Sequence, residues 1–144
     1  HLTLLMIVTL LALRIVQVGT FLADYLAVSF VLMTSALPPA LILSAFLLLM
    51  TIMTNIVSNN AAAAIGTPIA ISIANQLGVS AEPFILAVLF GANMSFATPY
   101  GYQTNLLILS AGGYKFTDFL RVGIPLTIIM WVGFSLVLPA LYSL

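Results

Sequence analysis

The chain has no cysteine, a single histidine and, across 144 residues, three basic and three acidic side chains. Without cysteine there is no disulfide and no thiolate metal site, and the redox compartment leaves no mark. With histidine only at His1, no histidine pair for catalysis or metal binding can be assembled. Charged residues make up 4% of the chain and the formal net charge is zero, which gives no electrostatic footprint for nucleic acid. An average soluble domain carries roughly a quarter charged residues. At 63% hydrophobic, this chain has too little polar surface to meet water. It reads as an all-α integral membrane protein seated in a lipid bilayer.

What is present is a series of apolar runs with distinct breaks. The chain opens on "HLTLLMIVTLLALRIV", with neither Met nor a charged flank ahead of it. That argues against a signal peptide, and the chain is expected to be a piece of a longer polypeptide. Leu2 to Val18 is about long enough to span hydrocarbon, with Arg14 placed to snorkel. "GTFLADYLAVSFVLM" opens on glycine and carries Asp24. It is expected to be an interfacial helix or connector, so residues 1–37 hold a spanning helix plus an interfacial helix. The prolines of "TSALPPA" end that unit.

Residues 38–78 form two helix candidates, Leu41 to Val57 and Ala61 to Leu77, on either side of Ser58-Asn59-Asn60. In the first, Ser44, Thr51, Asn55 and Ser58 follow at steps of seven, four and three. That is one helical face, turned to protein or water. In the second, Ala63, Thr67, Ala70 and Ala74 form a small-residue stripe suited to close packing, and Pro68 can kink it. After the turn "GVSAEP", Phe84 to Ala97 is apolar but short. "TPYGYQTN" breaks it, and Leu106 to Ala111 resumes it. A last spanning helix is expected over 119–142, with Trp131, Phe134 and Tyr142 facing lipid or the interfacial belt. Asn93-Met94-Ser95 is a glycosylation sequon expected to go unused inside an apolar helix. Lys115 and Arg121 make the loop 113–121 cytoplasmic by the positive-inside rule, which leaves the C-terminus outside.

Two interruptions stand out, Ser58-Asn59-Asn60 and Thr98 to Asn105. Taken alone, the first is either an aqueous turn between spanning helices or a polar tip held inside the membrane. Two features favour the tip. No charge lies between Asp24 and Glu82, and the polar face continues below the turn through Asn55 and Thr51. Ser58-Asn59-Asn60 can also cap the following helix and turn backbone N–H groups toward a ligand. At the second interruption both flanking runs are too short to span, and together they make one span. That is the pattern of a discontinuous helix, whose free carbonyls suit a small cation and whose free N–H groups suit an anion. Asp24, Glu82 and Asp118 fall near segment ends, where solvation explains them.

"TNIVSNNAAAAIGTPIA" followed by "SFATPYGYQTNLLILSAGGYKFTDFLRVGIPL" resembles the divalent-anion:sodium symporter family, a branch of the ion-transporter superfamily with citrate-transporter-like domains. The resemblance covers nearly the whole chain. It implies a fold of two inverted repeats, each with a re-entrant hairpin facing a broken helix. This chain would be the second, C-terminal repeat. Its hairpin would be 38–78 with the tip at 58–60, and its discontinuous helix 83–112, unwound at 97–104.

By the same resemblance, Ser58, Asn59, Asn60, Thr98 and Pro99 contact an anionic substrate. Thr54, Val57, Asn59, Ala97 and Pro99 give oxygens to sodium, the coupling ion, and a hard cation suits such oxygens. No covalent cofactor is implied. The expected partners are the N-terminal repeat of the same chain, a second copy in a homodimer, and the bilayer of the plasma (inner) membrane. Asn60 departs from the threonine of dicarboxylate carriers, and Tyr100, Tyr102 and Gln103 add bulk and polarity. The anion is thus left open among dicarboxylates, citrate and inorganic divalent anions. The implied function is secondary active transport by an elevator type of alternating access. The competing readings are an uncoupled pore and a non-transporting scaffold subunit. An enzyme is disfavoured, because no base partners Ser58.

Overall fold

The computed structural model describes residues 2–144, and the side chains of 6–14 and 16–144. Among the described residues all regular structure is helical. The elements are α1 (Leu2–Thr34), α2 (Pro39–Thr54), α3 (Asn59–Leu77), α4 (Glu82–Ala92), α5 (Gln103–Ala111) and α6 (Phe116–Tyr142). α2 and α4 lie side by side at the centre, α3 packs on both, α1 covers α3, and α6 covers α2 and α4. Phe46 of α2 joins three helices, meeting Phe30 of α1 edge-on at 5.9 Å and Phe84 of α4 at 6.2 Å. Ala70 and Ala74, from the small-residue stripe, are fully buried, so α3 approaches its neighbours closely.

α1 and α6 are each long and apolar enough to cross a membrane. Their outer faces expose large apolar side chains such as Phe21, Leu32, Ile129 and Leu136, each more than 60% accessible. Such faces suit hydrocarbon and would be costly in water.

The helix ends follow local chemistry. Pro38 caps α2 in an extended conformation and Pro39 opens it, where a missing N–H costs nothing. Gly78 closes α3 at φ 68°, while Val79 N–H returns to Ala74 O; only glycine adopts that left-handed backbone without strain. Asp118 accepts the Lys115 backbone N–H at 2.8 Å. This side-chain cap starts α6 at Phe116, ahead of the residue 119 expected from hydropathy.

Several expectations need correction. The division of 1–37 into a spanning and an interfacial helix is absent, because α1 runs unbroken through Gly19-Thr20. Thr20 Oγ1 donates to Gln17 O within the helix, and a single glycine costs a helix only about 1 kcal/mol. Asp24 therefore lies well inside α1 rather than at a segment end. It accepts a 2.7 Å bond from Ser72 Oγ of α3, which in turn accepts from Gln76 Nε2. Trp131 and Phe134, expected to face lipid, are half-buried against the chain's own core. Trp131 Nε1 donates to Ser44 O, and Phe134 stacks on Phe90 at 4.1 Å.

The unwound stretch between α4 and α5 is 93–102 rather than 97–104. Asn93 Nδ2 bonds back to Leu89 O, and Met94 N–H to Gly91 O, which tightens and ends the last turn of α4. The stretch that follows includes buried Met94 and Ser95, so its apolar composition hid the end of the helix.

Glycines mark where the central helices touch. A Cβ on Gly66 would lie 2.5 Å from Met50 Cε, the free end of a flexible chain. A Cβ on Gly91 would lie 2.7 Å from Met50 Cβ and 3.2 Å from Leu47 O, neither of which can swing aside. Gly91→Ala is expected to destabilise the full-length protein by about 1–3 kcal/mol, and Gly66→Ala by clearly less. Thermal unfolding in detergent compares the two.

Candidate functional site

α2 and α3 form a helical hairpin whose turn, 55–58, meets the unwound stretch 93–102. Thr54 ends α2 and is fully buried. Its hydroxyl donates to Ala92 O, the last carbonyl of α4, at 2.6 Å. This satisfies a carbonyl that the end of α4 leaves without a helical partner. Ser58 caps α3 in an extended conformation, its Oγ accepting the Ala61 N–H at 3.3 Å. The Ser58 hydroxyl proton is not used in that bond. Ser58 and Asn60 are both exposed at the end of the hairpin.

Asn59 is half-buried. Four oxygens surround one end of its amide: Thr54 Oγ1 at 2.8 Å, Gly101 O at 3.0 Å, and Ala92 O and Ser95 Oγ at 3.1 Å. Carbonyls cannot donate, and the Thr54 proton is committed to Ala92. The amide nitrogen is therefore the group that faces them. Asn59 thus ties the start of α3 to both ends of the unwound stretch.

Asn55 makes the second tie. Its Nδ2 donates to Thr51 O (2.8 Å) and Met94 O (3.1 Å). Its Oδ1 accepts the backbone N–H groups of Ala97 (3.0 Å) and Thr98 (3.1 Å). Thr98 Oγ1 donates to Asn55 O at 2.6 Å. Asn105, in the first turn of α5, closes the stretch from the other side, its Nδ2 donating to Ser95 O (3.1 Å) and Thr98 O (3.4 Å).

Two glycines allow this packing. A Cβ on Gly101 would collide with Thr54 O, and one on Gly123 with the backbone carbonyl of Phe96. Through Gly123, α6 lies directly against the unwound stretch.

The structure brings Thr54, Asn59, Thr98 and Pro99 into one region. Pro99 is buried there, Ala97 presents its N–H to Asn55, and Val57 is half-buried with its N–H on Met53 O. Ser58 and Asn60 stand at its edge. The polar face through Ser44, Thr51 and Asn55 turns to protein, as expected. Ser44 bonds Ser135 of α6 at 2.7 Å, and Thr51 reaches the Met94 sulfur at 3.7 Å.

Sequence reasoning placed Asn55 on this face without giving it a role, and passed over Ser95, Gly101, Asn105 and Gly123. Asn105 closes the motif "TPYGYQTN", and Gly101 lies inside it; both could have been found there. Gly123 carried no signal beyond being a glycine in an apolar helix. No charged residue occurs from 25 to 81 or from 83 to 114, so hairpin tip and unwound stretch meet through neutral dipoles alone.

An unwound backbone at the centre of an apolar helical chain is held by asparagine amides against a hairpin tip. Residues 2–144 of this chain match the Citrate transporter (CitMHS) family, and the chain belongs to it. An uncharacterized transporter of Synechocystis is 42% identical over 68% of this chain. A transporter of Escherichia coli, YfbS, also uncharacterized, is 35% identical over 72%. A probable sodium/sulfate cotransporter of Chlamydomonas reinhardtii is 38% identical over 69%. The matched region spans only 16%, 17% and 11% of these relatives. The family and the names of these relatives are those of transporters and not of enzymes.

The Asn59 amide gives a direct test of this packing. Asn59→Asp places a carboxylate against four oxygens where an N–H₂ group now sits. Stability in detergent is expected to fall by about 1–3 kcal/mol or more. A variant that unfolds with the wild type would show that the amide nitrogen does not face these oxygens.

Proposed function

We propose that the full-length protein is a sodium-coupled secondary transporter of a small anion, either a di- or tricarboxylate or an inorganic divalent anion. Sulfate is the first candidate, after the name of the Chlamydomonas relative. The carrying observation is the docking of a hairpin tip on an unwound backbone through neutral groups only. A divalent anion bound there gains no lysine, arginine or histidine from this chain, and burying its charge unpaired is costly. A sodium ion in the same site supplies the missing positive charge. At about 5 Å and an effective dielectric near 20, one cation contributes about 3 kcal/mol for each unit of anion charge. Coupling follows, since each ion raises the affinity for the other.

In this reading Ser58, Asn59 and Asn60 meet the anion, and Thr98 and Pro99 form the facing wall. Thr54, Val57, Asn59, Ala97 and Pro99 surround sodium with hard oxygens. Helix lengths support a membrane depth for the site. α4 has 11 residues, about 16 Å at 1.5 Å per residue. With Glu82 at a surface, its end at Ala92 comes about halfway through hydrocarbon about 30 Å thick. The bond from Thr54 to Ala92 then sets the hairpin tip at the same depth, which makes the hairpin re-entrant. α4 and α5 together amount to about 30 Å of helix, one span broken in the middle.

The chain is read as the second of two inverted repeats, whose partner repeat completes the site from the same polypeptide. The protein works as a homodimer in the plasma (inner) membrane, by an elevator type of alternating access. The hairpin and broken helix form the moving part.

Full-length protein in proteoliposomes is expected to take up labelled sulfate only with sodium outside, and KM should rise more than about a hundredfold when sodium is removed. Saturable uptake indifferent to sodium overturns coupling, and non-saturating flux supports a pore. For orientation, Tyr114→Cys in a cysteine-free background is expected to react with an impermeant thiol reagent only from the cytoplasmic side. Labelling from outside would invert the topology.

A further inference from the structure

We propose that Asn55 is the positioning residue of this site, a clamp that joins hairpin and unwound stretch and touches neither anion nor sodium. The proposal rests on the transporter reading above. A carboxamide has two N–H donors and two acceptor lone pairs. In Asn55 all four are matched, by Thr51 O, Met94 O, Ala97 N and Thr98 N. Its backbone carbonyl takes a fifth bond, from Thr98 Oγ1 at 2.6 Å. Four of the five bonds go to the unwound stretch.

Two consequences follow for the site. First, the backbone N–H groups of Ala97 and Thr98 are unavailable to an anion, although unwinding has freed them from a helix. Second, the Thr98 hydroxyl has spent its proton on Asn55 O. Toward the anion Thr98 offers its methyl group and shape, and no donor. Between hairpin and unwound stretch, the donors of this chain then lie on the hairpin side, where the Ser58 hydroxyl proton is uncommitted by its cap bond and Asn60 is exposed. The clamp also makes the hairpin turn and 93–102 a single body. An ion is admitted by movement around that body and not by its opening between Asn55 and Thr98.

The test uses full-length protein and two readouts, transport and amide hydrogen exchange. Asn55→Ala is expected to raise the KM for sulfate and the half-saturating sodium concentration about tenfold, in protein that is folded and present at normal amounts. Thr98→Val, which keeps shape and removes only the hydroxyl, is expected to shift the same constants in the same direction. Thr98→Ser keeps the hydroxyl and should leave amide exchange at Ala97 and Thr98 near wild type, whereas Thr98→Val should quicken it. The double variant Asn55→Ala/Thr98→Val should be worse than either single variant, because alanine keeps the backbone carbonyl that the Thr98 hydroxyl meets and the two substitutions cut parallel bonds of one clamp.

Amide exchange at Ala97 and Thr98 should quicken about tenfold or more in Asn55→Ala, with or without sulfate. Unchanged exchange, or unchanged constants in folded Asn55→Ala, would overturn the clamp. If the wild type shows no sodium-dependent uptake, the transporter reading falls, and the exchange measurement still decides whether the clamp exists.

Discussion

The rest of the structure depends on one requirement: backbone N–H and C=O groups buried inside an apolar chain must be paired within the protein. Helices meet it automatically, and the unwound stretch between α4 and α5 does not. Asparagine side chains supply what is missing. Asn55 takes two N–H groups and gives to one carbonyl of the stretch, Asn59 gives to oxygens at both ends, and Asn105 gives to two carbonyls between them. A carboxamide suits the task because it donates and accepts without charge. A carboxylate or an ammonium in the same buried place would need a counter-ion.

That requirement shapes the surrounding helices. The hairpin turn must come within hydrogen-bonding distance of the stretch, so side chains are removed where backbones meet. Gly101 lies against the Thr54 carbonyl and Gly123 against that of Phe96. The remaining polar groups of α2 are used in the same way on the way down. Ser44 joins Ser135 and Trp131 of α6, and Thr51 turns back to Leu47 O. The outcome is a polar seam running along α2 from its start to the turn. Around it are apolar surfaces fit for lipid or for the rest of the polypeptide.

Much of this was legible in the sequence. Near-absence of charge announced a membrane protein, and the steps between Ser44, Thr51, Asn55 and Ser58 announced a helix face turned inward. The paired interruptions announced a hairpin and a broken helix. Three things were not legible. Gly19-Thr20 looked like a boundary, yet α1 passes through it, because a glycine and a threonine weaken a helix without stopping it. The end of α4 was hidden, because buried non-helical residues such as Met94 are as apolar as helical ones. Trp131 and Phe134 looked like lipid-facing aromatics, since composition does not reveal which side of a helix finds a partner.

By itself the sequence determined the solvent, the number of apolar runs, their breaks and the family, since each depends on residue type and order along the chain. Which donors meet which acceptors was decided only by the tertiary structure. Asn55 and Thr98 are far apart in sequence; Thr98 read as a ligand contact and Asn55 only as part of an inward polar face. Folded, Asn55 donates to Thr51 O and Met94 O and Thr98 donates to Asn55, while Ser58 and Asn60 remain at the open edge. A polar residue in a membrane becomes a ligand-binding group or a brace according to the partner within about 3 Å of it. Packing sets that distance.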